Sequence, residues 1–198
     1  MKLSASYYLE SDVVKAARDL LGKELVTNID DVLTSGIIVE TEAYCGRNDK
    51  ASHANNGRRT ARTEVAYQTG GVAYIYLCYG IHHLFNVVVN EADKADVVLI
   101  RAVEPKKGVD MMSVRRNMSS NNKQLTAGPG TLTQALGIKS VLSGTSLLGD
   151  TIWIEDSDNT PDNQIKIGTR VGVDYAEEDA LKPWRFSIAD NPWVSKAK

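Results

Sequence analysis

Glu40 and Glu42 stand two positions apart in residues 36–42, an otherwise apolar segment that is typical of a strand. Side chains two apart on a strand share one face, so the two carboxylates are neighbours. Burying such a pair costs free energy unless a cation, a metal or a substrate meets it. A carboxylate in that setting can act as a general base for water. The alternative is a solvent-facing strand edge, and the spacing does not say which glutamate would act.

Tyr74 and Tyr76 share a face of a second predicted strand, residues 72–78, and Tyr44 follows the glutamate strand. Three electron-rich rings near a carboxylate can form a stacking cage for a flat ligand, and they favour a positively charged one through cation–π attraction. The alternative, which is the commoner use of such residues, is a half-buried sheet with aromatic cross-strand pairs.

Tyr79, Gly80 and Ile81 lie between residues 72–78 and another predicted strand, residues 84–89, a position typical of a hairpin tip. An exposed aromatic and aliphatic pair on a rigid tip is costly unless it inserts into something. Minor-groove proteins use such wedges to unstack bases. Alternatively, the tip folds back onto the core.

Two polar side chains, Arg101 and Asn86, interrupt apolar strand sequences. An arginine in so apolar a strand needs a carboxylate or a phosphate. Both residues can also be satisfied polar groups of the core, which leaves a role for either one open.

Metal and cofactor signatures do not appear in the chain. The three histidines, His53, His82 and His83, lack the HxxxH or HExxH spacing of a metal site. Neither a GxSxG elbow nor a GxxxxGK[ST] phosphate loop occurs, and Cys45 and Cys78 form no CxxC pair. We therefore expect no metal, no cofactor and no disulfide framework.

Charge is unevenly distributed along the chain, although the net charge is only −2. Residues 47–62 carry five basic side chains against one acidic, and residues 101–123 carry six against two. Residues 155–179 carry eight acidic side chains against two basic. Two basic zones and one acidic zone fit a protein with one face for a polyanion, although ordinary solvated charge gives the same counts.

The elements that must position these side chains are mostly strands. Further strands are predicted at 96–103, 151–155, 164–173 and 184–188. Helices are predicted after Ser11-Asp12, over 109–116 and from Pro129 to Leu136. Residues 49–71 are polar and glycine-rich and predict a long loop, and loops of that length are usually functional. We expect residues 1–198 to form one mixed, largely antiparallel α+β domain.

The composition, with 42% hydrophobic and 24% charged residues, is that of a globular protein. The first residues, MKLSASYYLESDVV, contain no apolar run of signal-peptide length, and no later segment approaches a membrane span. We therefore expect a cytoplasmic protein, associated with the nucleoid if it is bacterial, and no membrane partner.

Taken together, several ordered motifs resemble the alkyladenine (3-methyladenine) DNA glycosylase family over about residues 20–195. Long matches in the right order are a specific signal. The matching segments are VETEAY at 39–44, His53 with Gly57-Arg58, YIYLCYG at 74–80, Asn86, LIRAVEP at 99–105, Gly128-Pro129 and NPWVS at 191–195. The family fold implies a curved sheet with flanking helices and a β-hairpin that protrudes into the minor groove.

The resemblance implies a role for each candidate residue in the chemistry. It implies that Glu42, rather than Glu40, is the general base and that Arg101 orients the Glu42 carboxylate and the water. Three residues wall the pocket for a flipped base, namely Tyr44, His53 and Tyr76.

The resemblance also implies how normal bases are rejected and how the duplex is held. Asn86 excludes guanine by crowding its exocyclic amino group. Tyr79 is the wedge that replaces the flipped base, with Ile81 beside it at the tip. Arg58 and Arg62, in the first basic zone, are candidates for contact with the DNA backbone.

The activity implied is that of a monofunctional purine DNA glycosylase that acts as a monomer without a cofactor. It flips alkylated or deaminated purines from duplex DNA and hydrolyses the N-glycosidic bond with an activated water, leaving an abasic site. The expected lesions are 3-methyladenine, 7-methylguanine, hypoxanthine and ethenoadenine. The family usually has Thr-Pro-Arg-Asn at residues 60–63, from which Ala61 and Thr63 depart, and His82 stands where some relatives have an aromatic residue. These departures concern the contacts with DNA and the range of substrates.

Three other functions fit parts of the pattern. A non-catalytic damaged-DNA binding protein on the same fold would keep the tyrosine cage without depending on Glu42. Direct repair by alkyl transfer to cysteine would use Cys45 or Cys78, which lack the Pro-Cys-His setting of such a nucleophile. A metal hydrolase of another substrate would be inhibited by a chelator.

Overall fold

Eight strands form one antiparallel sheet in the computed structural model, which describes residues 1–157 and 159–196. The order across the sheet is β3-β4-β5-β2-β1-β6, and β8 pairs with both β2 and β7. The strands in chain order are β1 (Glu24–Ile29), β2 (Val32–Cys45), β3 (Ala73–Cys78), β4 (His82–Val89), β5 (Asp96–Lys107), β6 (Ile152–Glu155), β7 (Ile165–Gly168) and β8 (Arg185–Ile188).

β2 is the longest strand and changes its neighbour along its length. Its first half pairs with β1, and its second half pairs with β8, where Glu40 lies opposite Ser187 and Glu42 lies opposite Arg185. β5 pairs along the other edge, with register shifts on both sides of Glu40. Bulges of this kind bend a strand and re-aim its side chains. The irregular part of β2 is therefore the part that carries the glutamates.

Three α-helices pack on the sheet: α1 (Val13–Asp19), α2 (Val109–Arg116) and α3 (Pro129–Leu136). The Asp12 side chain accepts hydrogen bonds from the first turn of α1, as the predicted cap requires. Pro129 opens α3, where its missing N–H leaves no bond unmade, and Gly137 ends it with φ of 76°. The predicted starts of all three helices are confirmed.

Two groups of buried side chains hold these elements together. The larger lies between the sheet and the helices and includes Leu20, Phe85, Ile100, Leu132 and Phe186. Each such side chain contributes roughly 1.5–3 kcal/mol when it leaves water. The smaller lies under residues 49–71 and consists of Ala54, Ala66, Tyr67, Tyr74, Val88, Ala95 and Val97, with Tyr44 and Tyr76 packed against it.

The long loop predicted at 49–71 is confirmed, and short 3-10 turns at Asn55–Gly57 and Glu64–Tyr67 shape it. Asp49 is buried at its start and accepts hydrogen bonds from the backbone N–H groups of Cys45 and Ala51. The loop is therefore fixed to the end of β2, and the residues it carries hold set positions relative to Glu42.

The predicted α+β fold, with a curled antiparallel sheet, flanking helices and a β3–β4 hairpin, is confirmed. The strand predicted at 164–173 is too long, because β7 ends at Gly168 and the chain then turns. β1 was not predicted, since polar Thr27 and Asn28 interrupt its apolar pattern; in the sheet the Thr27 hydroxyl bonds to Thr34 and to the Leu136 carbonyl. None of the helices in the described ranges could cross a lipid bilayer.

Candidate active site

A fully buried ionic group lies where β2, β5 and β8 meet. The guanidinium of Arg101 reaches both glutamates of β2: Nε donates to Glu40 Oε1 at 3.0 Å, and Nη1 lies 3.2 Å from Glu42 Oε1. Neither carboxylate is exposed. The expectation that the two glutamates share a face and that Arg101 meets a carboxylate is met by this geometry. The three side chains form one electrostatic unit.

Glu42 makes two hydrogen bonds in addition to its contact with Arg101. The hydroxyl of Tyr44 donates to Oε2 at 2.8 Å, and the backbone N–H of Val171 donates to Oε1 at 2.8 Å. Burial raises the pKa of the Glu42 carboxyl above its usual value, although Arg101, Tyr44 and Val171 each lower it. A carboxylate with a raised pKa is a stronger base than an exposed one.

Glu40 has a different set of partners. Its Oε2 accepts from the backbone N–H of Ser195 at 2.9 Å, and Arg185 lies 3.4 Å from Oε1. The Ser195 hydroxyl in turn accepts from Nη2 of Arg101 at 3.3 Å. Glu40 is thus committed to cations and to the C-terminal segment, whereas the hydrogen-bond partners of Glu42 line a cavity.

That cavity has a volume of about 640 Å³ and is lined by aromatic side chains from three elements. The His53 and Tyr76 rings meet edge to face with centroids 4.6 Å apart, and the Tyr74 ring is tilted against Tyr76 at 5.5 Å. Nδ1 of His53 lies 3.1 Å from the Tyr74 hydroxyl. Tyr44 completes the wall next to Glu42. The structure therefore brings Tyr44, His53 and Tyr76 together around one slot.

His53 is uncharged at neutral pH in this setting. Burial, followed by the nearby Arg62 and Arg58, lowers its pKa to about 4. A neutral imidazole offers a donor and an acceptor and does not repel a cationic ring.

Asn86 lies at the inner part of the cavity together with Leu99 and Arg101. Its Nδ2 donates to the carbonyl of Tyr74 at 3.1 Å, which fixes the amide against β3. The side chain is buried, so it cannot swing away without breaking that bond. A rigid polar group at this depth can exclude a ligand that has a bulky substituent where the amide lies.

The hairpin tip stands in solvent beside the cavity. Tyr79 is 90% exposed and Ile81 is 72% exposed, so the alternative in which the tip folds back onto the core is wrong. Tyr79 has φ of 50° and Gly80 has φ of 74°, a left-handed pair that presents the two side chains outward. Tyr79 also borders the cavity, which places the tip and the slot next to each other.

The two basic zones differ once their partners are known. Arg58 and Arg62 are exposed, and the Arg62 guanidinium lies 4.8 Å from the Tyr76 ring centroid at the cavity rim. In the second zone, Lys106 and Lys107 pair with Glu24, and Arg101 is buried between glutamates. Ion pairs also occupy Lys50 and Arg59 of the first zone, so charge counts overstate the free positive charge of both zones. Arg58 and Arg62 are the better candidates because they are exposed in the loop beside the cavity.

Several residues at the cavity were not singled out from the sequence. Val171 contributes a backbone N–H, and main-chain donors leave no residue-type signal. Arg170 packs behind Tyr44, with its guanidinium carbon 4.8 Å from the ring centroid. Tyr175 lines the rim at 67% exposure, with its hydroxyl donating to the Ala51 carbonyl. The sequence did not single out Tyr175 because it lies in an acidic segment that is rich in turns.

Within residues 1–157 and 159–196, no three His, Cys, Asp or Glu side chains are grouped as a metal ion would need. The polar side chains that line the cavity include the Arg101 guanidinium, the neutral His53 imidazole, the Asn86 amide and several phenols, and the Glu42 carboxylate lies behind Tyr44, hydrogen-bonded to its hydroxyl. Such a set can hold a flat aromatic ring and activate a water beside it.

The comparisons with known proteins agree with this chemistry. The model of the methylpurine-DNA glycosylase (MPG) family matches residues 7–192. A protein of Natranaerobius thermophilus is 46% identical over 197 residues, 98% of this chain and 99% of that protein. Proteins of Bacillus cereus strain G9842 and Clostridium botulinum strain Alaska E43 are 44% and 46% identical over 205 residues, 99% of this chain and 100% of each. All three are named "Putative 3-methyladenine DNA glycosylase". The chain belongs to the methylpurine-DNA glycosylase family.

Proposed function

We propose that this protein is a monofunctional purine DNA glycosylase of base-excision repair, with Glu42 as its general base. One observation carries the proposal: the buried Glu42 carboxylate is hydrogen-bonded to Tyr44, and Tyr44 lines a cavity of about 640 Å³ together with His53 and Tyr76. Its substrate is duplex DNA that contains a damaged purine.

In the proposed reaction, the damaged nucleotide leaves the duplex and its base enters the slot. The oxygen of a water forms a bond to C1′ while the C1′–N bond breaks, and the electron pair of that bond leaves with the base. Glu42 accepts the proton of the water, and its charge also favours the positive sugar of the transition state. The products are a free base and an abasic site, with the DNA strand intact.

The slot fits bases with a positive charge. Alkylation at N3 or N7 makes a purine cationic, and such a ring is stabilised by the faces of Tyr44 and Tyr76. His53, with its pKa lowered to about 4, adds no opposing charge at neutral pH. We propose 3-methyladenine and 7-methylguanine as substrates on this ground, with hypoxanthine and ethenoadenine as neutral substrates of the same shape.

Normal guanine is rejected by Asn86 in this proposal. The amide is buried and tethered to the Tyr74 carbonyl, so it cannot retreat from an exocyclic amino group. An unpaired or crowded polar group in a closed site costs about 1–3 kcal/mol, enough for roughly tenfold or greater discrimination.

Binding to the duplex is assigned to the hairpin tip and the first basic zone. Tyr79 and Ile81 are exposed apolar side chains beside the slot, where they can fill the gap left by the extruded base. Arg62 at the same rim and Arg58 in the same loop are exposed and can contact phosphates. We propose that a single chain carries the site and that no cofactor takes part, because for a cationic base, which leaves without a proton from the enzyme, the groups named above all belong to one chain.

The experiment is a base-release assay on duplexes that carry one 3-methyladenine, 7-methylguanine or hypoxanthine. We expect the protein to release the damaged base, to leave the strand intact until alkali is added, and to be unaffected by a chelator. Glu42→Gln should release almost none, a loss of at least about 100-fold for a missing general base, while it still binds the lesion duplex. Glu91→Gln, a change at an exposed glutamate, serves as the matched control and should keep full activity.

The same assay separates the other functions. Lesion binding without release by either protein would favour a non-catalytic binder. Transfer of the alkyl group to Cys45 or Cys78 would add its mass to the protein and release no base. Inhibition by the chelator would indicate a metal hydrolase, and full activity of Glu42→Gln would exclude Glu42 as the base.

A further inference from the structure

Arg170 is the most completely buried arginine of the described residues, and its side chain is 0% exposed. The guanidinium forms a two-pronged ion pair with Asp49, in which Nη2 donates to Oδ1 at 2.9 Å and Nη1 donates to Oδ2. The same group also donates to the backbone carbonyls of Ala43 and Asp179, at 3.0 and 2.9 Å. One side chain therefore joins β2, the 49–71 loop and the 3-10 segment Asp174–Leu181.

Two aromatic rings lie against this guanidinium. Its central carbon lies 4.8 Å from the Tyr44 ring centroid and 5.0 Å from that of Trp184. The planar group is thus held by contacts with two rings and by the hydrogen bonds of its nitrogens. Tyr44 lines the cavity, donates its hydroxyl to Glu42 and packs against the Arg170 guanidinium. The position of the Tyr44 ring therefore depends on Arg170.

The residue that follows Arg170 touches the proposed base directly. The backbone N–H of Val171 donates to Glu42 Oε1 at 2.8 Å. A peptide group next to a side chain with this many fixed bonds has little freedom to turn. Arg170 consequently controls two of the three partners of Glu42, the Tyr44 hydroxyl and the Val171 N–H.

We propose that Arg170, held by Asp49, is a positioning residue that aligns Tyr44 and Val171 on Glu42 and thereby sets both the slot and the base. The inference builds on the proposed function and adds residues to that site. Neither Arg170 nor Asp49 borders the cavity, so they act through their neighbours and not by contact with the ligand.

Stability alone does not account for so elaborate an arrangement. A buried ion pair is often no more stabilising than apolar side chains of the same volume, because both charges lose their hydration. The Nε atom of Arg170 also has no hydrogen-bond partner among the described residues, which is a further cost. The ion pair instead fixes the orientation of the Arg170 side chain, because a planar guanidinium that makes two parallel hydrogen bonds is held in direction as well as in distance.

The test compares Arg170→Lys and Asp49→Asn with a matched surface change, Arg18→Lys. Lysine keeps the positive charge but loses the fork and the stacked plane. Arg18 forms an exposed pair with Asp162, so its replacement makes the same chemical change outside the site. We expect maximal single-turnover base release to fall about 10- to 100-fold in Arg170→Lys, as for displacements near 1 Å at a reacting centre. Asp49→Asn should lower it less, and Arg18→Lys should not change it.

A second measurement distinguishes positioning from loss of folded protein. In a Glu42→Gln background, affinities are measured for a duplex with a 7-methylguanine and for the same duplex undamaged. Arg170→Lys should bring the ratio of the two affinities several-fold closer to one, while the affinity for the undamaged duplex stays unchanged. Partial unfolding would instead weaken both in proportion, and circular dichroism checks the fold of each variant.

The outcomes are separable from those of the proposed function. If the parent protein releases no base, the proposed activity is wrong, and the affinity ratio still decides the role of Arg170. If the parent is active and a folded Arg170→Lys protein keeps both the rate and the affinity ratio, the inference is overturned.

Discussion

Nη1 of Arg101 lies 3.2 Å from Oε1 of Glu42, while Nε of the same guanidinium donates to Glu40. The positive charge next to Glu42 is therefore shared with a second carboxylate. A guanidinium that faced Glu42 alone would lower the basicity of that carboxylate more strongly. Glu40 consequently offsets part of the lowering of the Glu42 pKa that Arg101 causes.

This balance predicts the effect of Glu40→Gln on the pH dependence of base release. The groups that face Glu42 are Arg101 from β5, Tyr44 and Glu40 from β2, and the Val171 N–H. The negative charge of Glu40 raises the pKa of Glu42, so its removal lowers that pKa. The acidic limb of the single-turnover rate should therefore move to lower pH.

The limb is measured on a duplex with 7-methylguanine, whose cationic base needs no proton from the enzyme. The maximal rate should also fall, because Arg101 loses one anchor. Glu91→Gln should leave the limb in place. A limb that moves to higher pH in Glu40→Gln would contradict the balance between Glu40 and Arg101.

A second prediction concerns the stability cost of the buried base. Burial raises the pKa of Glu42 above 4.5, so the folded protein binds this proton more tightly than the unfolded chain does. The ionised form therefore destabilises the fold as pH rises through and above that pKa. Glu42→Gln removes the charge, and we expect its Tm to exceed that of the parent by a few °C at pH 8.

The difference in Tm should narrow as the pH is lowered from 8, because the folded parent takes up a proton at Glu42 at a higher pH than the unfolded chain does. Differential scanning calorimetry over a series of pH values measures this change. A variant that is less stable than the parent at pH 8 would mean that the bonds from Arg101, Tyr44 and Val171 outweigh the cost of burial.

The parts of this site that could be predicted from sequence are those with a local pattern. The Glu40–Glu42 spacing, the tip at Tyr79 and the polar break at Arg101 each stand out within a few residues of apolar strand. Glu40 and Glu42 share a face as a period of two predicts, whereas the register shifts beside Glu40 could not be predicted from the pattern. The resemblance to a known family then assigned each of them an expected role.

The parts that could not be predicted depend on long-range contacts or on the backbone. Arg170 and Asp49 are 121 positions apart, and neither is unusual in its own segment. Val171 acts through an N–H that every residue except proline possesses. The strand predicted over residues 164–173 ends at Gly168, and Arg170 then bonds to Asp49 and to the carbonyls of Ala43 and Asp179, which are long-range partners that a local pattern does not reveal.

The third prediction tests the wedge. Tyr79 is 90% exposed and has no packing role in the fold, so Tyr79→Ala should leave Tm unchanged. The extruded base would then have no replacement in the stack, and its return would compete with hydrolysis. We expect base release to fall by about tenfold or more, the equivalent of 1–3 kcal/mol per lost stacking contact.

Ile81→Ala, at the same tip, removes less surface and should have a smaller effect. Both variants are assayed on a paired lesion and on the same lesion opposite an abasic site, where less stacking must be broken. The loss should shrink on the second duplex. Equal losses on the two duplexes would indicate that Tyr79 acts in binding and not in base extrusion.

The fourth prediction concerns His53, whose pKa is lowered from 6.5 to about 4 by burial and by Arg62 and Arg58. The unfolded chain binds a proton at His53 more tightly than the folded protein does. The neutral ring therefore contributes stability that is present above pH 6.5 and is lost as pH falls towards 4. We expect His53→Asn to reduce the drop in Tm between pH 7.5 and pH 5.

His82→Asn is the matched control, because His82 is exposed on the hairpin and its replacement should not alter that drop. Titration of His53 should not change the rate of base release from 7-methylguanine between pH 6 and pH 8, because the ring is already neutral in that range. An NMR titration of the His53 ring that gives a midpoint near 6.5 would contradict both expectations. It would also mean that the slot gains a positive charge as pH falls below about 6.5, which a cationic purine would then have to overcome.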